Sequence, residues 1–277
     1  MGKRIFSTVT LWLALFAVLW YFRTNGALVV ITAVSVLTLR EFYQLMTAAG
    51  DAPFAHLALL FGGLITLAPW LEVRFGLSPA PLLPLATLVF TCRMFLERAP
   101  EKRIEALSST LFGLLYVALM FQYFVRLVTP VPGEMMLPAG RLVLCLWIVA
   151  VAKFCDVGAL LTGLAIGRHP MAPLTSPKKT WEGAGGGVLV GMGVGALVAW
   201  LGRGVLPAGF TPLRAFLSAA PLAVVGIVSD LVESVLKRRA ALKDSGGGVP
   251  GIGGIFDLSD SLILAAPVGY FLIQQVA

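Results

Sequence analysis

Asp230, Glu233, Ser234 and Lys237 stand at i, i+3, i+4 and i+7, the spacing of one helix face. Asp257, Asp260 and Ser261 repeat the i, i+3, i+4 pattern where the next apolar run begins. A short stretch, Arg238–Gly254, joins the two faces. Two carboxylate-bearing helix ends are therefore expected near each other. Grouped carboxylates at a water-accessible depth suit hard cations, Mg²⁺ above all. The joining stretch carries Lys237, Arg238, Arg239 and Lys243, then Asp244 and a glycine-rich run that includes Gly253 and Gly254. Four cations offer countercharge to phosphates, and glycines let backbone N–H groups approach an anion closely. G-x-x-x-x-G-K-[ST] is absent, so this is not a P-loop. A plain flexible turn is the alternative for the glycine run alone.

A second stretch has similar chemistry. Ser176-Pro177-Lys178-Lys179-Thr180-Trp181-Glu182-Gly183 offers two lysines, two hydroxyls and a glycine-rich helix start. Such a segment can hold a polyphosphate; an ordinary basic loop with a helix cap has the same spacing. Lys153 and Asp156 are one helical turn apart. They form either a simple i, i+3 ion pair or a place where Asp156 positions a substrate.

The elements that must position these residues are membrane spans. The chain has 277 residues, 58% apolar and only 13% charged, with a mean hydropathy of +0.91. Soluble domains carry about 25% charged residues, so a soluble globular domain, a disordered chain and a nucleic-acid-binding domain are excluded. About nine apolar runs approach span length: 5–22, 26–46, 57–71, 81–96, 106–128, 141–165, 183–202, 214–237 and 255–275. They are long and uninterrupted rather than alternating, which argues for helices over a barrel. The fold class expected is an all-α polytopic bundle, with residues 1–140 as N-terminal spans and 141–277 as the catalytic region. Lys3 and Arg4 before Ile5–Phe22 resemble a signal peptide, but the run is long and no A-x-A site follows, so it reads as a retained span.

Counting Lys and Arg on alternate sides puts 14 on one side and 6 on the other, with Lys153 inside a span. By the positive-inside rule the N-terminus is cytoplasmic, as are loops 166–182 and 238–254. The net charge of +7 then serves topology and anionic partners rather than nucleic acid. Cys92, Cys145 and Cys155 form no CxxC, so neither zinc nor a disulfide is expected. Five of six aspartates lie between 156 and 260, four of them in or beside apolar spans. A carboxylate at that depth costs about 2.5–3.5 kcal/mol and marks a functional site by default.

Ser234-Val-Leu-Lys237-Arg238, Lys243-Asp244, Pro250-Gly251-x-Gly253-Gly254 and Asp257-x-x-Asp260 together resemble the signature of the phosphatidate cytidylyltransferases. Asp156-x-Gly-Ala, Gly167-Arg168, Ala172-Pro173 and Ser176-Pro-x-Lys179-Thr180-Trp181-Glu182-Gly183 are similar to that family's other motif, and Ser229-Asp230-Leu231-x-Glu233-Ser234 to its Gly-Asp-Leu-x-Glu-Ser. The motifs cover about residues 150–262. Ile252 stands where the family usually has histidine, and Leu258 where it has arginine.

The resemblance implies transfer of a cytidylyl group from CTP to phosphatidic acid, with Mg²⁺ and room for a second cation. It implies Asp230 and Asp257 as main metal ligands, with Asp244 and Asp260 near them. Lys178, Lys179, Lys237, Arg238 and Lys243 become countercharges to phosphate. Ser176, Thr180 and the backbone of Gly251–Gly254 add hydrogen bonds, and Asp156 helps place substrate. A homodimer in the inner membrane, with its site facing the cytoplasm, goes with the family. Two other readings use the same residues: a transporter or channel lined by intramembrane carboxylates, and an inactive or altered-specificity relative, motivated by Ile252 and Leu258.

Overall fold

Without water to satisfy them, backbone N–H and C=O groups must pair within the segment, and an apolar run of span length does so as a helix. The computed structural model describes residues 2–96, 102–131, 133, 136–242, 245–246 and 253–276, with side chains at Val18 and from Tyr21 onward. Its helices are α1 (Gly2–Ala48), α2 (Ala55–Phe75), α3 (Leu82–Met94), α4 (Arg103–Gly113), α5 (Leu119–Val128), α6 (Pro138–Ile166), α7 (Trp181–Leu201), α8 (Pro212–Arg239) and α9 (Ile255–Val276). One π-helical turn, Leu114–Ala118, joins α4 to α5.

Among the described residues, seven helical stretches are long and apolar enough to cross a membrane. They are Tyr21–Ala48, Ala55–Phe75, Arg103–Val128, Pro138–Ile166, Trp181–Leu201, Pro212–Arg239 and Ile255–Val276. These coincide with seven of the nine runs expected from sequence. The run at 81–96 forms α3, whose 13 residues reach only about 20 Å at 1.5 Å each. The run at 5–22 lies in the first part of α1, which leaves helical geometry at Arg23 (φ 47°, ψ −125°), between the first two expected spans. The protein is an integral membrane protein built of helices.

One element was not expected. Residues 166–182, read as a loop, contain a short antiparallel hairpin of β1 (Pro170–Ala172) and β2 (Ser176–Thr180). Its register pairs Pro170 with Thr180 and Ala172 with Ser176.

The chain divides into two compact units, Met1–Pro132 with Leu236–Ser259, and Gly133–Val235 with Asp260–Ala277. The first is centred on Phe42, which is fully buried and meets Tyr43, Phe112 and Phe256 with ring centroids 5.5, 5.8 and 6.2 Å away. Buried hydroxyl pairs Ser35–Thr66 and Thr38–Ser259, each 2.8 Å, tie its helices.

The second unit rests on a glycine seam. Gly183, Gly187, Gly191 and Gly195 recur every four residues on α7 and are all buried. A Cβ at the first three would stand 2.8, 2.6 and 3.1 Å from the carbonyl oxygens of Ala159, Cys155 and Val151 on α6. At Gly195 the neighbour is Trp147, whose Nε1 donates to the Gly195 carbonyl at 3.2 Å. Helices that cannot gain from leaving water associate through such close approaches.

Candidate active site

The basic stretch after α6 is held as a hairpin by its own ends. Thr180 is the N-cap of α7, its hydroxyl accepting from Gly183 N at 3.1 Å. Glu182, in the first turn, accepts from Arg168 N and His169 N, each at 3.2 Å, and meets His169 Nδ1. A carboxylate in a first helical turn also suits the helix dipole. This clamp carries Lys178 and Lys179 on β2.

Lys179 Nζ is closed off from solvent and stands 2.6 Å from Asp230 Oδ2 on α8. One turn further, Glu233 is buried. Carboxylate oxygens of Asp230, Glu233 and Asp260 lie within 4.8 Å of one another. Asp260 is oriented from several sides. Its side chain accepts from Ser261 N at 2.6 Å and from Lys153 Nζ at 3.3 Å, and its carbonyl accepts from the Ser229 hydroxyl. Lys153 also reaches Asp156 Oδ2 at 3.4 Å and Ser261 Oγ at 2.7 Å, and Ser261 Oγ donates to Asp156 at 2.9 Å.

Lys153 and Asp156 are thus more than a local i, i+3 pair, because the ammonium also joins α6 to α9. Asp156, Asp230 and Asp260 meet the ammonium groups of Lys153 and Lys179, and Glu233 lies beside Asp230 and Asp260. Carboxylates grouped this closely and partly buried repel one another unless cations stand among them. Three convergent hard oxygen donors fit Mg²⁺ in type and charge.

Beside this cluster is a cavity of about 320 Å³ lined by both charged and apolar side chains. Asp156, Lys178, Lys179, Thr180 and Asp230 supply its polar lining, and Leu160, Leu164, Met171 and Ile227 its apolar lining. Leu160 and Leu164 are exposed on α6. Such a cavity suits a molecule with a charged head and an apolar body.

A second cluster belongs to the other unit. Asp257 is the third residue of α9 and accepts from Gly254 N at 2.8 Å, the reach-back of a capping box. Its oxygens also accept from Lys237 Nζ at 2.8 Å and from Ser245 N at 3.3 Å. Gly253, at φ +117°, holds a backbone that L side chains rarely adopt, and a Cβ there would stand 2.5 Å from Asp257 Oδ2. Gly253 of the signature therefore has a steric reason.

Asp230 and Asp260 lie together, while Asp257, expected with Asp230 as a main ligand, is found with Lys237, Ser245, Gly253 and Gly254. Ser176, Lys178, Lys179 and Thr180 share β2, and Arg238 is exposed on the last turn of α8. Lys243, Asp244 and Ile252 lie outside the described residues. Glu233, read from its i+3 spacing as sharing a helix face with Asp230 but not named as a metal ligand, joins the carboxylate group. Glu41, buried in α1, was passed over altogether.

Comparison with known proteins places this geometry. A phosphatidate cytidylyltransferase of Synechocystis sp. is 31% identical over 279 aligned residues, covering 92% of this chain and 88% of that protein. One from Thermotoga maritima is 30% identical over 265 residues, covering 94% and 92%. One from Mycobacterium bovis is 29% identical over 259, covering 88% and 79%. The family profile described as "Cytidylyltransferase family" matches residues 2–276. A match of that length takes in both clusters and nearly every helix, and the chain belongs to the cytidylyltransferase family.

Proposed function

We infer that the protein transfers the cytidylyl group of CTP to phosphatidic acid, giving CDP-diacylglycerol and pyrophosphate. The observation that carries this is similarity along almost the whole chain to proteins named phosphatidate cytidylyltransferase. The cavity supports it, since a phosphate head can meet Lys178, Lys179 and Thr180 while acyl chains run past Leu160 and Leu164.

An oxygen of the lipid phosphate attacks the α-phosphorus of CTP, and the bond to pyrophosphate breaks. A phosphate monoester has its second pKa near ~6, so it is mostly dianionic at neutral pH and needs no strong base. The demand on the protein is to bring two polyanions together and stabilise charge on the leaving pyrophosphate. Lys178, Lys179, Lys237, Arg238 and Lys243 supply fixed positive charge. The Thr180 hydroxyl, already an acceptor from Gly183 N, keeps its hydrogen for a phosphate oxygen. Asp230, Glu233 and Asp260 would hold Mg²⁺, and the family resemblance adds Asp257 and Asp244 and a second cation. Bound there, the metal supplies charge neutralisation and orientation.

The same reading takes residues 141–277 as the catalytic region, nine spans, a cytoplasmic N-terminus, a homodimer and the inner membrane. The 14 to 6 distribution of cations supports that orientation. The test is CTP turnover by purified protein with phosphatidic acid, with and without EDTA. Label should pass from CTP to lipid, stop in EDTA and return with added Mg²⁺. Full transfer in metal-free buffer rules out the metal site, and no transfer with Mg²⁺ present rules out the activity.

A further inference from the structure

Glu41 is a charged residue within the apolar helix α1, 8% exposed. Its Oε2 accepts from Phe256 N at 2.8 Å, one of the backbone donors that the start of α9 leaves without a partner in the helix. The same oxygen accepts from Ser245 Oγ at 3.3 Å. Glycines crowd the carboxylate. A Cβ at Gly246 would stand 3.2 Å from it, and one at Gly254 would collide with both Glu41 and Ser245. Glu41 therefore grips the chain on both sides of the 247–252 segment.

What it grips is the seat of Asp257. Ser245, held through its hydroxyl by Glu41, gives its backbone N–H to Asp257. Gly254, packed against Glu41, gives its N–H to Asp257 at 2.8 Å. Phe256, bonded to Glu41, is the residue before Asp257. Two donors that aim Asp257 thus lie on residues in direct contact with Glu41. Another, Lys237, comes from α8.

We propose that Glu41 is a positioning residue for the transfer reaction, fixing Ser245, Gly254 and the first turn of α9 so that Asp257 and Lys237 keep their working geometry. The carboxylate also sits at a helix N-terminus, where negative charge is favoured. This rests on the cytidylyl-transfer reading, in which Asp257 serves the reaction.

The test uses full-length protein in lipid–detergent micelles with CTP, phosphatidic acid and Mg²⁺, and reads kcat, KM and thermal midpoint. Glu41→Gln keeps an acceptor oxygen for Phe256 N and Ser245 Oγ; Glu41→Ala keeps none. Glu41→Ala is expected to lose at least ~30-fold in kcat, about 2 kcal/mol, and Glu41→Gln to recover to within ~5-fold of wild type, about 1 kcal/mol. Thr38→Val cuts another buried hydrogen bond between the same two helices, Thr38–Ser259, and should retain kcat. Combined with Asp257→Asn, Glu41→Ala should add little further loss, because both act through one carboxylate.

Unchanged kcat in Glu41→Ala overturns the proposal. So does equal loss of kcat in Thr38→Val, or a multiplicative loss in the double variant. If Glu41→Ala does not fold, Gly254→Ala and Glu41→Gln decide. The first should lose kcat and the second keep it, and the reverse overturns the proposal. Activity in Asp257→Asn would instead defeat the underlying site assignment, whatever Glu41 does.

Discussion

Lys179 on the second hairpin strand and Asp230 within α8 form an ion pair of 2.6 Å whose ammonium nitrogen is shut from solvent. The pair fastens the hairpin to a helix that carries a carboxylate group, so its two members have both a structural and a chemical reason to exist. Substitutions can divide the two. Asp230→Asn is expected to lose at least ~100-fold in rate, about 2.7 kcal/mol, and so is Lys179→Met. Each side chain is about one quarter exposed (25% and 26%). The stability cost should therefore stay below the ~3–5 kcal/mol of a deeply buried pair broken on one side. In the double variant no charge is left without its partner. Its melting midpoint should move back toward wild type while activity stays lost. Recovery of activity in the double variant would show the pair to be scaffold.

Asp257→Asn keeps size and an acceptor oxygen for Gly254 N, so the start of α9 should survive. The charge opposite Lys237 is gone. Rate should fall at least ~100-fold while the protein extracts and melts within a few degrees of wild type. A well-folded variant with wild-type turnover removes Asp257 from the site.

Glycine substitutions in α7 should diverge by position. Gly187→Ala would put a Cβ 2.6 Å from the Cys155 carbonyl oxygen, and backbone must move to admit it. Overpacking of that kind costs about 1–3 kcal/mol. Gly185→Ala meets nothing within 4 Å and should gain up to about 1 kcal/mol of helix propensity. Thermal unfolding of the two purified variants checks the sign of each.

Sidedness can be read by cysteine labelling in a background lacking Cys92, Cys145 and Cys155. Single cysteines placed in 97–105, 166–182 and 238–254 should react from the cytoplasmic face. Labelling of 166–182 and 238–254 from opposite faces would contradict the orientation read from the 14 to 6 cation count.

Much of this fold was legible because lipid allows few alternatives: an uninterrupted apolar run of span length has to be a helix, and seven runs are. α3 was less legible. Its residues are as apolar as those of its neighbours, but Ser78, Pro79 and Pro81 precede it and the helix closes after Met94, leaving too few turns. The hairpin at 170–180 was not legible either. Its strands are three and five residues long, and its fixing contacts run through Glu182, a residue with no special spacing.

In the site, carboxylates inside apolar runs drew attention to Asp156, Asp230 and Asp260, which the fold brings into one network, since burying a carboxylate among apolar residues requires a reason. The same rule applied to Glu41 inside the 26–46 run. Attention to aspartates grouped by sequence distance hid it, because its partners Ser245 and Phe256 are about 200 residues away. Periodicity gives a residue's face, not the distant segment that face meets.

The glycine seam between α6 and α7 has an entropic consequence. Most helix interfaces freeze rotamers when they close, and long side chains lose about 1.5–2 kcal/mol each. Gly183, Gly187, Gly191 and Gly195 have no rotamers to lose, and what they meet on α6 over the first three positions is largely carbonyl oxygen. Docking these neighbouring helices therefore forfeits little freedom in a solvent that offers no hydrophobic reward. The pair can zip together as soon as both segments are in the bilayer. Asp156, Lys178, Lys179 and Thr180 then share one rigid frame, and the reacting phosphates need not spend binding energy to assemble it.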